Sequence, residues 1–299
     1  MSRCVDGTQV NEARGPTVGY IRVAPIRVSR GFAMKKAIWL VPTLVVASLV
    51  CGCSASNEAD FHPRQSHFEI VTYNINWGFV RPDEVADYLL REAADIVCLQ
   101  ETHRHWEAFL KARFSKEYAY MAFYESAAPG GIGIMSRYEL QDAKLIDPNE
   151  GWFPAVFVRA KTPIGFVQIL NVHLRPPLSE QGTVSLGAYF SADEVHCKEL
   201  EELVAHTTGD EPLIILGDFN EDEGGKAMRQ LVRSGFTDAL SLYDRYTNTW
   251  TWKTSVGIEL KNRYDHVLYS RHLACTAAKV TRVEASDHMP VVAVIVKNE

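Results

Sequence analysis

Cysteine is scarce in this 299-residue chain, and what there is does not fall into a ligand pattern. Three of the six cysteines (Cys4, Cys51, Cys53) lie in the first 53 residues; Cys98, Cys197 and Cys275 are scattered over the rest. No two of those three share a C-x-x-C spacing, which argues against a zinc ribbon or a disulfide framework and leaves room for one disulfide at most. Cys98 lies inside an apolar strand pattern and reads as core. Long apolar runs are also lacking. The one candidate, Ala37–Cys51, is shorter than the roughly 20 residues that span a bilayer. Positive charge is short too. The net charge is −6, yet residues 1–53 carry seven Lys/Arg against Asp6 and Glu12, a net of +5, which leaves −11 on the remainder. So acidic a domain is a poor candidate for gripping duplex nucleic acid through many Lys/Arg–phosphate contacts, so weak or no stable duplex binding is expected. Repeats and low-complexity tracts are absent.

The order of features from Met34 onward is that of a secretory signal: Lys35 and Lys36, the short apolar run, then small residues before a cysteine. Its "VCGC" ending resembles the lipobox of bacterial lipoproteins. That resemblance implies cleavage before Cys53, lipidation of its thiol and a membrane anchor. Ser54 after the cysteine, where Asp would signal retention at the inner membrane, points by the same resemblance to the outer membrane, periplasmic side. The expected organisation is an upstream extension over 1–33, a signal over 34–52, a polar linker over 53–67 and one domain over 68–299.

Within that domain short strand patterns alternate with a few helical ones. "FEIVTYNIN", "DIVCLQE", "YAYMAFYES", "GIGIMSRYEL", "WFPAVFVRAK", "GFVQILNVHL", "PLIILGDFN", "RYDHVLYS", "AAKVTRV" and the closing "VVAVIV" read as strands. Helices are predicted from Pro82, around Trp106–Phe114, over 193–206 and near 225–234. Residues 118–172 offer no crossover helices, so a fully parallel doubly wound sheet fits poorly. The pattern predicts an α+β architecture of two packed, mainly antiparallel sheets with helices outside.

Several strands end in residues an apolar core would not choose: Asn74 and Asn76, Gln100 and Glu101, Asn171 and His173, Asp218 and Asn220, Asp265, and Asp287 with His288. Each alone is an ordinary turn or cap residue. Six such ends in one chain, all carrying Asn, Asp, Glu or His, describe side chains held by a scaffold yet open to a cleft.

In this order, "TYNIN", "LQET", "GGIGIMSR", "NVHL", "GDFNE", "RYDHVLYS" and "SDHMP" resemble the endonuclease/exonuclease/phosphatase superfamily, the deoxyribonuclease-I-like fold, over residues 68–297. The resemblance implies a four-layer α/β sandwich and a metal-dependent phosphoesterase. It implies Glu101 as principal metal ligand with Asn74 and Asp287, and Mg²⁺ or Mn²⁺ as cofactor, in keeping with an oxygen-rich donor set. It makes His288 the histidine at the reacting phosphate, acting as base or cationic donor, and Asp265 the carboxylate that orients it. Asp218 would position or deprotonate the attacking water, the Asn220 amide would donate to a phosphate oxygen, and His173 would donate to phosphate or protonate the leaving group. Asn76 stands where the abasic-site endonuclease branch carries an acid, and "NVHLRP" where that branch has a Tyr/Asn pattern. These features look more like the nuclease, sphingomyelinase and phosphoinositide-phosphatase branches.

Arg175 and Arg263 are candidate substrate cations, with Lys253 beside them. Trp250 and Trp252 are candidates for a substrate edge or for core packing. His103, His105, His196 and His266 read as surface or helix residues. The substrate is thus expected to be a phosphoester, diester or monoester, of nucleic acid, phospholipid headgroup or another class. The competing expectation is a catalytically inert envelope binding or scaffold lipoprotein on the same fold.

Overall fold

The computed structural model of the protein describes residues 18–20, 66–78, 81–102, 105–126, 128–177, 186–254 and 257–299. The expected signal segment and Cys53 lie outside the described residues. Among those described, no helix is long and apolar enough to cross a membrane.

Two sheets carry the fold. The first has the order β14-β15-β2-β3-β5-β4, built from β2 (His67–Asn74), β3 (Ile96–Gln100), β4 (Tyr120–Tyr124), β5 (Ile132–Ser136), β14 (Leu273–Val280) and β15 (Val291–Lys297). The second has the order β1-β6-β7-β8-β9-β13-β10. Its strands are β1 (Val18–Tyr20), β6 (Leu140–Ile146), β7 (Ala155–Thr162), β8 (Gly165–His173), β9 (Leu213–Asp218), β10 (Thr237–Asp238) and β13 (Asp265–Tyr269). A separate hairpin pairs β11 (Trp250–Lys253) with β12 (Glu259–Asn262). β1, from the stretch ahead of Met34, pairs antiparallel with β6 at the sheet edge.

The layers follow from which faces are apolar. Phe68, Ile70, Ile96, Ile134, Val158, Ile169, Leu216 and Val267 fill the space between the sheets. Helices α1 (Pro82–Glu92) and α2 (Trp106–Phe114) cover the outer face of the first sheet through Val85, Leu89, Leu110 and Phe114. Helices α3 (Leu186–Val204) and α4 (Lys226–Arg233) cover the second through Leu200, Leu203, Met228 and Leu231. Each such side chain contributes about 1.5–3 kcal/mol on burial, and β3, β5, β9 and β13 are buried at every position because they are covered on both sides. Pro82 opens α1 at a position whose N–H needs no partner, and Ala93 closes it at φ 52°. The four-layer sandwich is as expected, with β1, β6, β10, a short helix α5 (Ala239–Tyr243) and the β11–β12 hairpin in addition. Cys98 is core, and Cys98, Cys197 and Cys275 are all free thiols.

Pairing direction then determines where polar residues gather. Each sheet contains one parallel pair, β2 with β3 and β8 with β9, while the other pairings are antiparallel. Parallel strands end on the same edge. Register sets Asn74 beside Gln100 in the first sheet and His173 beside Asp218 in the second. Asp265, at the start of antiparallel β13, sits beside Asp218. The segment before β15 returns Asp287 and His288 to the same edge, since Val291 pairs with Thr72 of β2.

Candidate active site

Close approach of β8 and β9 at this edge depends on Gly217, whose φ is +143° and where an added Cβ would lie 1.9 Å from the Val172 carbonyl oxygen. Just beyond the strand ends, Asn76, Glu101 and Asn220 take left-handed backbone conformations at φ 55°, 58° and 49°. Such conformations are costly for residues with a Cβ, and they cluster where the scaffold must aim side chains.

The best-defined unit is a dyad. His288 Nδ1 lies 2.8 Å from Asp265 Oδ2, both residues buried. Its Nε2 faces Asp218 Oδ2 at 3.6 Å. Ser286 Oγ accepts from the His288 backbone N–H at 3.0 Å and donates to the Asn74 carbonyl at 2.8 Å, so the dyad is pinned to the first sheet. Thr249 Oγ1 accepts from the Asp265 N–H at 3.0 Å. Burial alone would lower the His288 pKa; the carboxylates of Asp265, Asp218 and Asp287 outweigh it and lift the imidazole to about 10.

Across the cleft His173 Nε2 lies 3.6 Å from Asp218 Oδ2 and 3.9 Å from Glu101 Oε1. The Phe153 ring stacks on its imidazole with centroids 4.2 Å apart and planes inclined by 22°. Here burial dominates, with the His288 charge adding to it against the pull of Asp218, and the His173 pKa falls to about 4. Burial also raises the pKa of Asp218, against the two histidines. One imidazole is therefore held as a cation and the other neutral, with a carboxyl between them.

Asn74 Nδ2 donates to Glu101 Oε1 at 3.0 Å and to Asp218 Oδ2 at 2.9 Å, joining carboxylates from the two sheets. Its Oδ1 accepts from the Asn76 N–H at 3.0 Å. Glu101 Oε2 accepts from the Trp77 N–H at 2.7 Å. Asp287 accepts from Asn76 Nδ2 through Oδ1 and from Trp250 Nε1, at 3.0 Å, through Oδ2. Asn220 donates its amide to the Leu174 carbonyl at 3.0 Å and its backbone N–H to Asp218 Oδ1 at 2.9 Å.

Glu101, His173 and Asp218 bring donor atoms within 4.8 Å of one another, the size of a cation site; Asp218, Asp265 and His288 do the same. The first set fits a divalent ion. Two carboxylates and a neutral imidazole face one another around it, and the Asn74 amide bonds both carboxylates. Four carboxylates share this edge with one imidazolium, an excess of negative charge that a cation would neutralise. Asn74 and Glu101 of the expected ligand set thus stand at this cluster, whereas Asp287 is engaged by Asn76 and Trp250.

The cleft measures about 760 Å³, and Glu101, His173, Asp218, Asn220, Asp287 and His288 line it. Arg175 stands near its rim, with the guanidinium 4.5 Å over the Trp152 ring. Arg263 is not brought to the cleft. Its buried guanidinium reaches Glu223 Oε2 at 2.6 Å and the Asp244 carbonyl at 3.1 Å, so it anchors loops rather than a substrate. Gln100 and Asn171, polar at strand ends, are buried and bridge the two sheets through a 2.6 Å hydrogen bond instead of facing the cleft. His196 lies on α3, in keeping with a helix position, but is buried, and His266 is buried on β13 rather than on the surface or a helix; His103 lies outside the described residues. The sequence reading overlooked the holding roles of Asn76, Ser286, Thr249 and Phe153. The second Asn of "NIN" and the Ser of "ASDHMP" carried a signal; Phe153, far away in sequence, carried none.

Comparison with known proteins agrees with this geometry. No curated protein sequence matches the chain significantly. The fold is that of an endonuclease/exonuclease/phosphatase from Beutenbergia cavernae DSM 12333, with TM-score 0.64 and 20% identity over 78% of this chain and 72% of that one. It is also that of D. rerio TDP2 complexed with single strand DNA product, with TM-score 0.62 and 16% identity over 77% and 99%. An AP endonuclease from Archaeoglobus fulgidus superposes with TM-score 0.57 and 19% identity over 76% and 98%. The sequence profile described as Endonuclease/Exonuclease/phosphatase family matches residues 71–288, a span that runs from β2 to His288 itself, and the chain belongs to that family.

Proposed function

We propose that the protein is a divalent-metal-dependent phosphoesterase, acting on a phosphodiester in the bacterial cell envelope. Family membership points to phosphoester or nuclease-type chemistry. The observation that carries the finer reading is the His288–Asp265 dyad, whose open Nε2 faces Asp218 and the Glu101 cluster across one cleft.

With its pKa lifted to about 10, His288 is an imidazolium at neutral pH, which favours the donor role over the base role. It would donate from Nε2 to a phosphoryl oxygen and stabilise the charge that builds there. Asp218, its pKa raised, is the group placed to accept a proton from the attacking water. His173, kept neutral, would donate a hydrogen bond to the phosphate or hold the ion. The Asn220 backbone N–H and the Asn74 side-chain amide keep Asp218 in place. Glu101, Asp218 and His173 would hold Mg²⁺ or Mn²⁺, and the Asn74 amide would brace the two carboxylates. When bound, such an ion supplies neutralisation of phosphate charge and of the departing oxyanion.

Hydrolysis of bis-p-nitrophenyl phosphate and p-nitrophenyl phosphate with Mg²⁺, Mn²⁺ or EDTA tests this. Metal-dependent turnover that His288→Ala abolishes is the expected result, and the preferred ester separates diesterase from phosphomonoesterase. Inertness toward both esters under saturating metal would favour the scaffold reading. Export and anchoring through Cys53 rest on the "VCGC" resemblance. Mass spectrometry of membrane-extracted protein should find a lipidated N-terminus at Cys53; any other mature N-terminus refutes the anchor.

A further inference from the structure

The walls of the cleft differ in kind from its floor. Charged groups crowd the floor, while Trp250, Trp252 and Leu260 of the β11–β12 hairpin, Tyr264 just after it, and Trp152 and Phe153 supply apolar lining. Trp252 and Leu260 stay 46% and 42% exposed, which leaves apolar surface in water next to a polar site. Trp250 lies 6.5 Å from Trp252 and 5.2 Å from Tyr264 between centroids, with planes inclined by only 32° and 34°, so the rings present roughly aligned faces.

Cations are few here. Apart from the histidines, Lys261 is the one cationic residue among the described residues lining the cleft, its Nζ 2.8 Å from Glu259 Oε2, and Arg175 adds one more at the rim, over Trp152. A substrate carrying several phosphates would meet little to neutralise them. A single phosphoester with an uncharged, flat remainder fits the surface as built.

The hairpin is also stitched to the catalytic segment. Trp250 pairs with His288 in an isolated β-bridge, the Thr251 N–H donates to the Asp287 carbonyl at 3.0 Å, and the Met289 N–H donates to the Thr249 carbonyl at 2.6 Å. Trp250 Nε1 then donates to Asp287 Oδ2 at 3.0 Å. The ring that lines the wall is thereby the group that fixes one oxygen of Asp287.

We propose, resting on the phosphoesterase reading above, that the β11–β12 hairpin is the specificity element of this cleft. It holds a planar aromatic substituent of a singly charged phosphodiester against Trp252 and Trp250, and Trp250 is a positioning residue that ties that wall to Asp287.

The test separates binding from turnover. Calorimetric titration of the Mg²⁺-loaded protein with methyl phenyl-, methyl cyclohexyl- and methyl methylphosphonate, each a monoanion, compares ligands of the single charge that a phosphodiester carries. The phenyl ligand should bind about tenfold or more tightly than the methyl one, as burial of one ring allows. The cyclohexyl ligand should lie well below phenyl. Trp252→Ala should collapse the phenyl preference, while Ile258→Ala, exposed on the same hairpin but off the cleft, should keep it. Trp250→Phe retains a ring but no N–H; it should keep the preference and lower kcat on bis-p-nitrophenyl phosphate about tenfold at nearly unchanged KM, the size expected for a lost charge-assisted hydrogen bond. Equal affinity for phenyl and methyl ligands, or a preference that survives Trp252→Ala, overturns the wall. Cyclohexyl binding as tight as phenyl overturns the aromatic class, and wild-type kcat in Trp250→Phe overturns the tie to Asp287. A phenyl preference in a protein without turnover upholds the wall and refutes the catalytic reading instead.

Discussion

Asp265 and His266 are neighbours on β13 and face opposite sides of one sheet. Each belongs to a buried histidine–carboxylate pair. On the cleft side Asp265 holds His288 at 2.8 Å; on the helix side His266 meets Asp238 at 3.4 Å. Carboxylates raise both imidazoles against burial. Pairing and burial therefore do not distinguish them; unused bonding capacity does. His266 spends Nδ1 on Asp238 and Nε2 on the Glu221 and Arg263 carbonyls, at 3.1 and 3.0 Å. His196 is likewise spent, between Glu221 and the Arg175 carbonyl. His288 keeps Nε2 aimed into the cleft with only Asp218 near, at 3.6 Å. A histidine satisfied at both nitrogens is architecture, and one satisfied at a single nitrogen can act.

The sharpest way to break that comparison is to delete each imidazole in turn. His288→Ala should lower kcat by about 10²–10⁴-fold, the range for a positioned acid–base or donor group, with an unchanged far-ultraviolet circular dichroism spectrum. His266→Ala should do the reverse. It leaves Asp238 buried without its partner and should cost about 3 kcal/mol of stability, lowering Tm by roughly 10 °C in a domain of this size. Its kcat, measured well below that Tm, should stay within a few-fold of wild type. If His266→Ala loses activity as heavily as His288→Ala while folded, the distinction fails.

Metal binding should sharpen it further, with a somewhat smaller effect. An ion that binds only the folded protein adds about 2.7 kcal/mol at a hundred times its Kd. Mg²⁺ or Mn²⁺ should accordingly raise Tm by several degrees, and EDTA should reverse the rise. Glu101→Gln should lose the shift because it removes a carboxylate from the cluster, whereas His266→Ala should show the full shift from its lower starting point. A Tm indifferent to both ions would sink the cation site.

The sequence made the cleft legible and its walls only in part, through Trp250 and Trp252 as candidates for a substrate edge. Strand ends carrying Asn74, Glu101, His173, Asp218, Asp265 and His288 stood out because core strands otherwise exclude such residues, and parallel pairing of β2 with β3 and β8 with β9 brought them to one edge. Helices were legible from Pro82 and from apolar spacing. Arg263 was misread because a cation near a site motif looks the same whether it faces substrate or, as here, Glu223. Gln100 and Asn171 resembled cleft residues, yet they bond each other between the sheets, a pairing that alternation along either strand alone does not reveal. The β11–β12 hairpin escaped because "TWTWKTSVGIELKN" has no sustained alternation, and half its faces remain in solvent. Phe153 meets His173 only through tertiary packing.

A carboxylate supplies the last and smallest test of the same distinction. Glu199 on α3 is buried away from the cleft; its Oε2 accepts from the Arg175 N–H at 3.3 Å, and its Oε1 has no partner. Burial raises its pKa from 4.5 to about 7, against the opposing pull of His196 and Arg175. Because the folded state holds this proton more tightly than the unfolded chain, stability should be greatest below pH 4.5 as far as this group is concerned. It should fall as pH rises from 4.5 to 7 and stay lower above that, by roughly 3 kcal/mol. Glu199→Gln cannot ionise. Its Tm should therefore change less between pH 5.5 and pH 8 than the wild-type Tm does, by a few degrees, while kcat stays within a few-fold of wild type, since the group touches Arg175 and α3 and not the reacting edge. Equal pH dependence in both proteins would show that Glu199 finds a partner at Oε1 when charged, and would move it from the dry side of the comparison to the satisfied one.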